Sequence, residues 1–226
     1  MQTERPMTDD GAAHHTPTLD RLRHVLAPLP ALADLPRNFD PAAGGDHALN
    51  PGAPALIRPG LLTPAAVLVP VIRHRADLSV LLTRRTDTLA KHSGQVAFPG
   101  GRMDDTDPDL AYCALRETEE EVGLAPDHIK VIGSLSPYIT VTGYVVTPVV
   151  GVVEPGFHLT PNPAEVAEVF EVPLAFLLDE RNHKRHGGSF NGTRREWWAI
   201  PYGGHYIWGA TAGMLRDLLR RWNEPG

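Results

Sequence analysis

A single cysteine, Cys113, stands in 226 residues. A lone thiol excludes an intrachain disulfide framework and any multi-cysteine zinc site. No apolar run approaches the roughly 20 residues of a membrane helix. The first 18 residues carry Asp9, Asp10, His14 and His15 without the apolar stretch of a secretory signal. Excess positive charge is also missing. There are 27 acidic against 21 basic residues, and the net charge of −6 argues against bulk attraction to nucleic acid or an anionic membrane. Internal repeats are absent. A soluble, cytoplasmic protein is expected, and 42% hydrophobic residues suffice for a core.

Along the chain, residues 1–17 are polar and aperiodic and read as a disordered tail. Residues 18–64 form an N-terminal helix and arm: Leu19, Leu22, Val25 or Leu26, and Leu29 recur at helical spacing, then Pro, Gly, Ala and Asn dominate. The domain proper is expected over 65–226. Ala65 to Ile72 and Leu78 to Thr83 read as a strand hairpin turning at His74–Asp77. Further strands are expected over Ile129–Leu135, Tyr144–Val153, Val166–Val172 and Glu196–Ile200. Pro148 predicts that Tyr144–Val153 is an edge strand or carries a bulge. His183 to His186 reads as a charged loop and Gly203-Gly204 as a hairpin turn. Thr211 to Trp222 reads as a closing helix with Met214, Leu215, Leu218, Leu219 and Trp222 on one face. The fold class is therefore α/β, a mixed β-sheet flanked by helices.

The chemistry concentrates in Gly100 to Leu124. Asp107 fits a helix N-cap, Pro108 the first helical position and Gly123 the stop. With Leu115 as the core direction and about 100° per residue, Glu117, Glu120 and Glu121 fall at about 200°, 140° and 240°, on the side away from the core. Like charges one turn apart near a helix C-terminus are unfavourable by tenths of a kcal/mol, roughly, so a solvated acidic face alone would explain them. A hard divalent cation gives the cluster a use, because Mg²⁺ takes carboxylates together with water and phosphate oxygens. The preceding Gly100-Gly101 lets the backbone come close to a ligand.

The stretch from Gly101 to Leu124 resembles the Nudix box: Gly101, Asp107, Arg116-Glu117, Glu120-Glu121 and Gly123-Leu124. Asp107 stands where a glutamate is usual, and eight residues rather than seven separate it from Arg116. Upstream, Leu81-Leu82-Thr83-Arg84-Arg85, Leu89 and Lys91-His92-Ser93-Gly94-Gln95-Val96-Ala97-Phe98-Pro99-Gly100-Gly101-Arg102, with Asp104, are similar to the coenzyme A pyrophosphatase branch, which shares that aspartate and spacing. Ala90 departs from this signature, which has arginine there. Asn162 to Leu174 and Ile207 to Ala212 also resemble Nudix elements.

The resemblance implies a Nudix-type α/β/α sandwich that hydrolyses coenzyme A or a derivative to 3′,5′-ADP and a phosphopantetheine product with Mg²⁺ or Mn²⁺. It implies Glu117, Glu120 and Glu121 as metal ligands, Arg116 as their orienting partner, and Glu165 or Glu168, with Glu165 preferred, as general base. Arg84, Arg85, Lys91, His92, Gly100, Gly101 and Arg102 are the substrate-binding candidates. Glu119 and Cys113 are expected to be a solvated charge and a small buried hydrophobe. Trp197, Trp198 and Trp208 read as core or dimer contacts, or one as an adenine platform, which leaves a homodimer open. Two other readings stay open: hydrolysis of another nucleoside diphosphate derivative (ADP-ribose, NADH or a nucleoside triphosphate), and a non-catalytic nucleotide-binding regulator.

Overall fold

A computed structural model describes residues 18–38, 44–50, 62–87, 94–190 and 193–224. The tail at 1–17, much of the Pro/Gly-rich arm, and Lys91 and His92 lie outside the described residues. The main sheet is mixed and built from nine short and long strands: β1 (Gly44–Gly45), β2 (Thr63–Arg73), β3 (Leu78–Arg85), β4 (Val96–Ala97), β5 (Gly100–Arg102), β6 (Ile129–Ser134), β7 (Tyr138–Ile139), β8 (Tyr144–Val153) and β9 (Val166–Pro173). A second antiparallel sheet contains β10 (Lys184–Phe190), β11 (Thr193–Tyr202) and β12 (His205–Trp208). The helices are α1 (Leu19–Val25), α2 (Leu110–Val122), the single turn α3 (Leu174–Leu177) and α4 (Gly209–Asn223).

Strand β2 explains the layering. Its side chains alternate between two buried faces, as a strand covered on both sides requires. Val69 and Val71 pack with Leu22 of α1 and Leu215 and Leu218 of α4. Ala66 and Leu68 pack with Leu110, Cys113 and Ala114 of α2. The sheet is thus held between α2 on one face and α1 with α4 on the other, an α/β sandwich with flanking helices. No helix among the described residues is long and apolar enough to cross a membrane.

Several expectations are corrected. Strand β8 is central: it pairs in parallel with β2 over its whole length and antiparallel with β6 and β7 on its other side. Pro148 is accommodated because its carbonyl, taking Leu135 N at 3.0 Å, points to the gap between β6 and β7. Since N and O of one strand residue face the same way, the missing N–H falls where the neighbouring chain turns. The bulge lies on β6 instead, between Val131 and Gly133. His183 is buried, its Nε2 2.8 Å from Leu177 O, and Lys184 to His186 open strand β10, so this run is no charged loop. Gly203 and Gly204, at φ 52° and 92°, turn β11 into β12 as the sequence anticipates.

Candidate active site

Helix α2 begins one residue pair later than the sequence suggests. Asp109, not Asp107, is the N-cap, its carboxylate accepting from Tyr112 N at 2.8 Å. Gly123 ends the helix at φ 70°. Asp107 is released for another task. Its two oxygens take Nε and one terminal nitrogen of Arg116 at 2.9 Å each, and one of them also takes Asp104 N at 2.8 Å. Those bonds, led by the one from Arg116, hold the Asp107 carboxyl down at about 2 despite its burial. The other terminal nitrogen of Arg116 lies 3.0 Å from Glu117 and 3.2 Å from Glu120. One planar cation therefore gathers three carboxylates.

The inward face of α2 is centred on Leu110, Ala114, Thr118 and Glu121 rather than on Leu115, which is only half-buried. This rotation corrects the outward placement of Glu121 and, in part, of Glu117, while Glu120 points outward as expected. Glu120 faces solvent, Glu117 is half-buried, and the Glu121 side chain retains 5% of its exposure. Glu121 is wedged between β3 and the start of β5, with Arg85 and the Gly100 N–H each at 3.3 Å. Burial pushes its carboxyl up to about 7, against the opposing pull of Arg85 and Gly100. Burial raises Glu117 as well. Glu119 is exposed. Cys113 is buried and burial pushes its thiol up to about 12, so it stays protonated and packs as a hydrophobe.

The double glycine is fitted to these carboxylates. A Cβ on Gly101 would overlap the Glu117 carboxylate, and one on Gly100, at φ 149°, would lie 2.5 Å from the Ala66 carbonyl and Val67 Cα. Arg102 is exposed, with a terminal nitrogen 3.8 Å from Asp104.

Strand β9 separates the two candidate bases. Arg84 pairs with Glu168, but Arg85 pairs with Val166, so Ala167 is an extra residue on β9. The bulge turns Val166 into the cluster containing Val122 and Leu124 of the α2 side, and leaves Glu165 at the rim beside Arg85 at 3.9 Å. Asn162 holds the turn, donating to Glu165 at 3.4 Å and accepting from Ala164 N at 3.1 Å. Glu165 is near enough to raise the carboxyls of both Glu117 and Glu121. Glu168 is elsewhere: it lies 3.2 Å from Arg84 and 3.6 Å from His205, whose ring stacks on Phe170 at 3.7 Å. Arg84 alternates with Val80 and Leu82, which belong to the α4 side, so Arg84 and Glu168 sit on the sheet face away from α2. The sequence contained no sign of the bulge that makes this separation.

The tryptophans also divide. Trp198 packs on the main core with Arg216 over its ring at 4.6 Å, while Trp197 and Trp208 meet edge to face at 5.8 Å on the outer side of the small sheet. Among the described residues, no three His, Cys, Asp or Glu side chains converge into a cation cage. The donor set nevertheless suits a hard cation: carboxylate oxygens, two of them desolvated, beside a glycine turn with no Cβ in the way.

Residues 62–191 match the NUDIX domain family. The chain is similar to an uncharacterized Nudix hydrolase, NudL, of Cronobacter sakazakii, 47% identical over 160 residues, covering 71% of this chain and 83% of that one. It is 46% identical over 154 residues to the protein of the same name from Klebsiella pneumoniae, covering 68% and 80%. Among solved structures, the Nudix hydrolase RenU of M. smegmatis aligns with a TM-score of 0.46 at 18% identity, over 70% of this chain and 84% of that one.

Proposed function

The chain belongs to the Nudix hydrolase family, and from that premise we propose that it splits the pyrophosphate bond of coenzyme A or a derivative, using Mg²⁺ or Mn²⁺. The products are 3′,5′-ADP and a phosphopantetheine fragment. The observation that carries pyrophosphate chemistry is the seating of Glu117 and Glu121 against the Gly100-Gly101 turn, with Glu165 facing them across Arg85. The choice of coenzyme A rests on the likeness of Leu81 to Asp107 to that branch, Ala90 apart.

Glu117, Glu120 and Glu121 would hold the cation, its remaining positions taken by water and substrate phosphate oxygens. A cation bound there would polarise the phosphoryl oxygens and would make water a stronger nucleophile near neutral pH. Arg116, anchored by Asp107, fixes the direction of Glu117 and Glu120. Glu165 takes the proton from the attacking water as the water oxygen bonds to one phosphorus, and the P–O bond to the bridging oxygen breaks, that oxygen leaving with the other phosphate. Backbone at Gly100 and Gly101 admits the diphosphate, and Arg102, exposed at the mouth, offers it positive charge. Arg84 serves less well as a phosphate contact because it is engaged with Glu168 on the other sheet face.

A substrate panel tests the reading. The purified chain is incubated with Mg²⁺ or Mn²⁺ and coenzyme A, ADP-ribose, NADH or nucleoside triphosphates, and products are identified by mass. Preferential release of 3′,5′-ADP is expected. Cleavage of ADP-ribose alone would replace coenzyme A as substrate, and binding without turnover throughout would replace the enzyme by a nucleotide-binding regulator.

A further inference from the structure

Arg85 enters from the sequence as a substrate contact, but its surroundings give it different work. We infer that Arg85 is a positioning residue that sets the spacing between Glu121 on α2 and Glu165 on the turn before β9; the inference rests on the proposed base role of Glu165. One terminal nitrogen of Arg85 lies 3.3 Å from Glu121 and the other 3.9 Å from Glu165, so both ends of its fork already face carboxylates. Its Nε is shut off from solvent and meets no hydrogen-bond partner among the described residues, so substrate cannot reach that edge without moving the packing. A phosphate-binding arginine instead needs terminal N–H groups open to the ligand.

The backbone around Arg85 ties the same two elements. Arg85 N donates to Gln95 O at 2.9 Å, on the segment leading to the Gly100 turn. The next residue, Thr86, donates from N to Glu165 O at 3.0 Å and from its hydroxyl to Ala164 O at 3.2 Å. The end of β3 therefore grips the Asn162–Val166 turn by main chain and reaches across to α2 by side chain. A guanidinium is the side chain suited to this, since its planar fork can address two acceptors at once where an ammonium is a point charge.

The test compares kcat and KM for Arg85→Ala, Arg85→Lys, Glu165→Gln and Arg85→Ala/Glu165→Gln. It is run at saturating Mg²⁺ on coenzyme A, or on whichever diphosphate of the panel the wild-type chain cleaves. A positioning role gives a fall in kcat of about 100-fold for Arg85→Ala, within the range for loss of a general base, while KM changes less than about threefold. Lysine fails to restore the rate, and the double variant is no slower than the slower single variant, because Arg85 acts through Glu165. A rise in KM at unchanged kcat, rescue by lysine, or multiplying effects in the double variant overturns the inference. Wild-type kcat in Glu165→Gln refutes the base assignment by itself and removes Glu165 from the span of Arg85. Unchanged melting temperature in Arg85→Lys separates loss of geometry from loss of fold.

Discussion

At the scale of the residue, two carboxylates in one helix neighbourhood show how surroundings decide a charge. Asp107 and Glu121 are both buried, yet the first is held at about 2 by a bidentate arginine and the second is raised to about 7 by desolvation. Asp107, depressed below its ordinary value, contributes stability that is fully present above about pH 4 and lost as pH falls toward 2. Removing it with alanine takes the bidentate partner from Arg116, which keeps Glu117 and Glu120, and costs about 2 kcal/mol, measurable by urea unfolding at pH 7. Glu121 has the opposite sign. Its raised value means the folded chain favours the protonated form, so its contribution is present below about pH 4.5 and lost as pH rises through 7. In chelator, the wild-type chain is expected to lose stability between pH 5 and 8. Glu121→Gln should then be the more stable protein at pH 8, by on the order of 2 kcal/mol, although it no longer turns over. Equal melting temperatures for the two chains at pH 8 in chelator would contradict this account.

At the scale of the element, the boundaries of the carboxylate helix show what a sequence displays and what it conceals. Asp107, Pro108 and Asp109 all carry helix-start chemistry, and the choice among them depends on Arg116, nine residues away, which claims Asp107. The arginine–glutamate pattern was legible because each residue type has a distinct chemistry. Which way the face pointed was not, since Leu115 is the most hydrophobic residue of its turn but Ala114 and Thr118 are smaller and fit the close approach of α2 to β2 and β5. Small residues at an interface carry little hydrophobic signal. Pro148 misled for a related reason: its cost depends on whether the neighbouring chain offers an acceptor at that point, which no local pattern reveals. The Gly100-Gly101 turn supplies a prediction here. Gly100→Ala places a Cβ against the Ala66 carbonyl and Val67 at a backbone angle suited to glycine, and about 3 kcal/mol of destabilisation is expected. Thermal denaturation reads it; a loss below 1 kcal/mol would show that β5 can slide away from β2.

For the whole molecule, the fold is organised around two strands, β2 and β8, paired in parallel along ten consecutive register positions. Both run through the core as β-branched sequence, and this is why the sheet was recognisable from the chain alone. The second sheet was less so, because β10 is charged and glycine-rich and is defined by its pairing with β11. Amide hydrogen exchange should be slowest in β2 and β8, approaching the global unfolding free energy, and faster in β10. Protection of β10 equal to that of β8 would contradict a hierarchy set by burial. The arm is fastened to this frame at Asn50, whose side-chain amide both accepts from Glu196 N and donates to Glu196 O at 2.8 Å, continuing the edge of β11 without a strand.

The extra residue at Ala167 has a bearing on how this segment can vary. Strand side chains obey a two-residue parity, so Val166 and Glu168 would share a face in a regular strand, and the added residue is what sets them on opposite faces. Deleting Ala167 would regularise the pairing and keep Val166 opposite Arg85. The stretch therefore already holds the one residue it can spare, and what a deletion at Ala167 takes away is the local bend of β9, not the parity of its side chains.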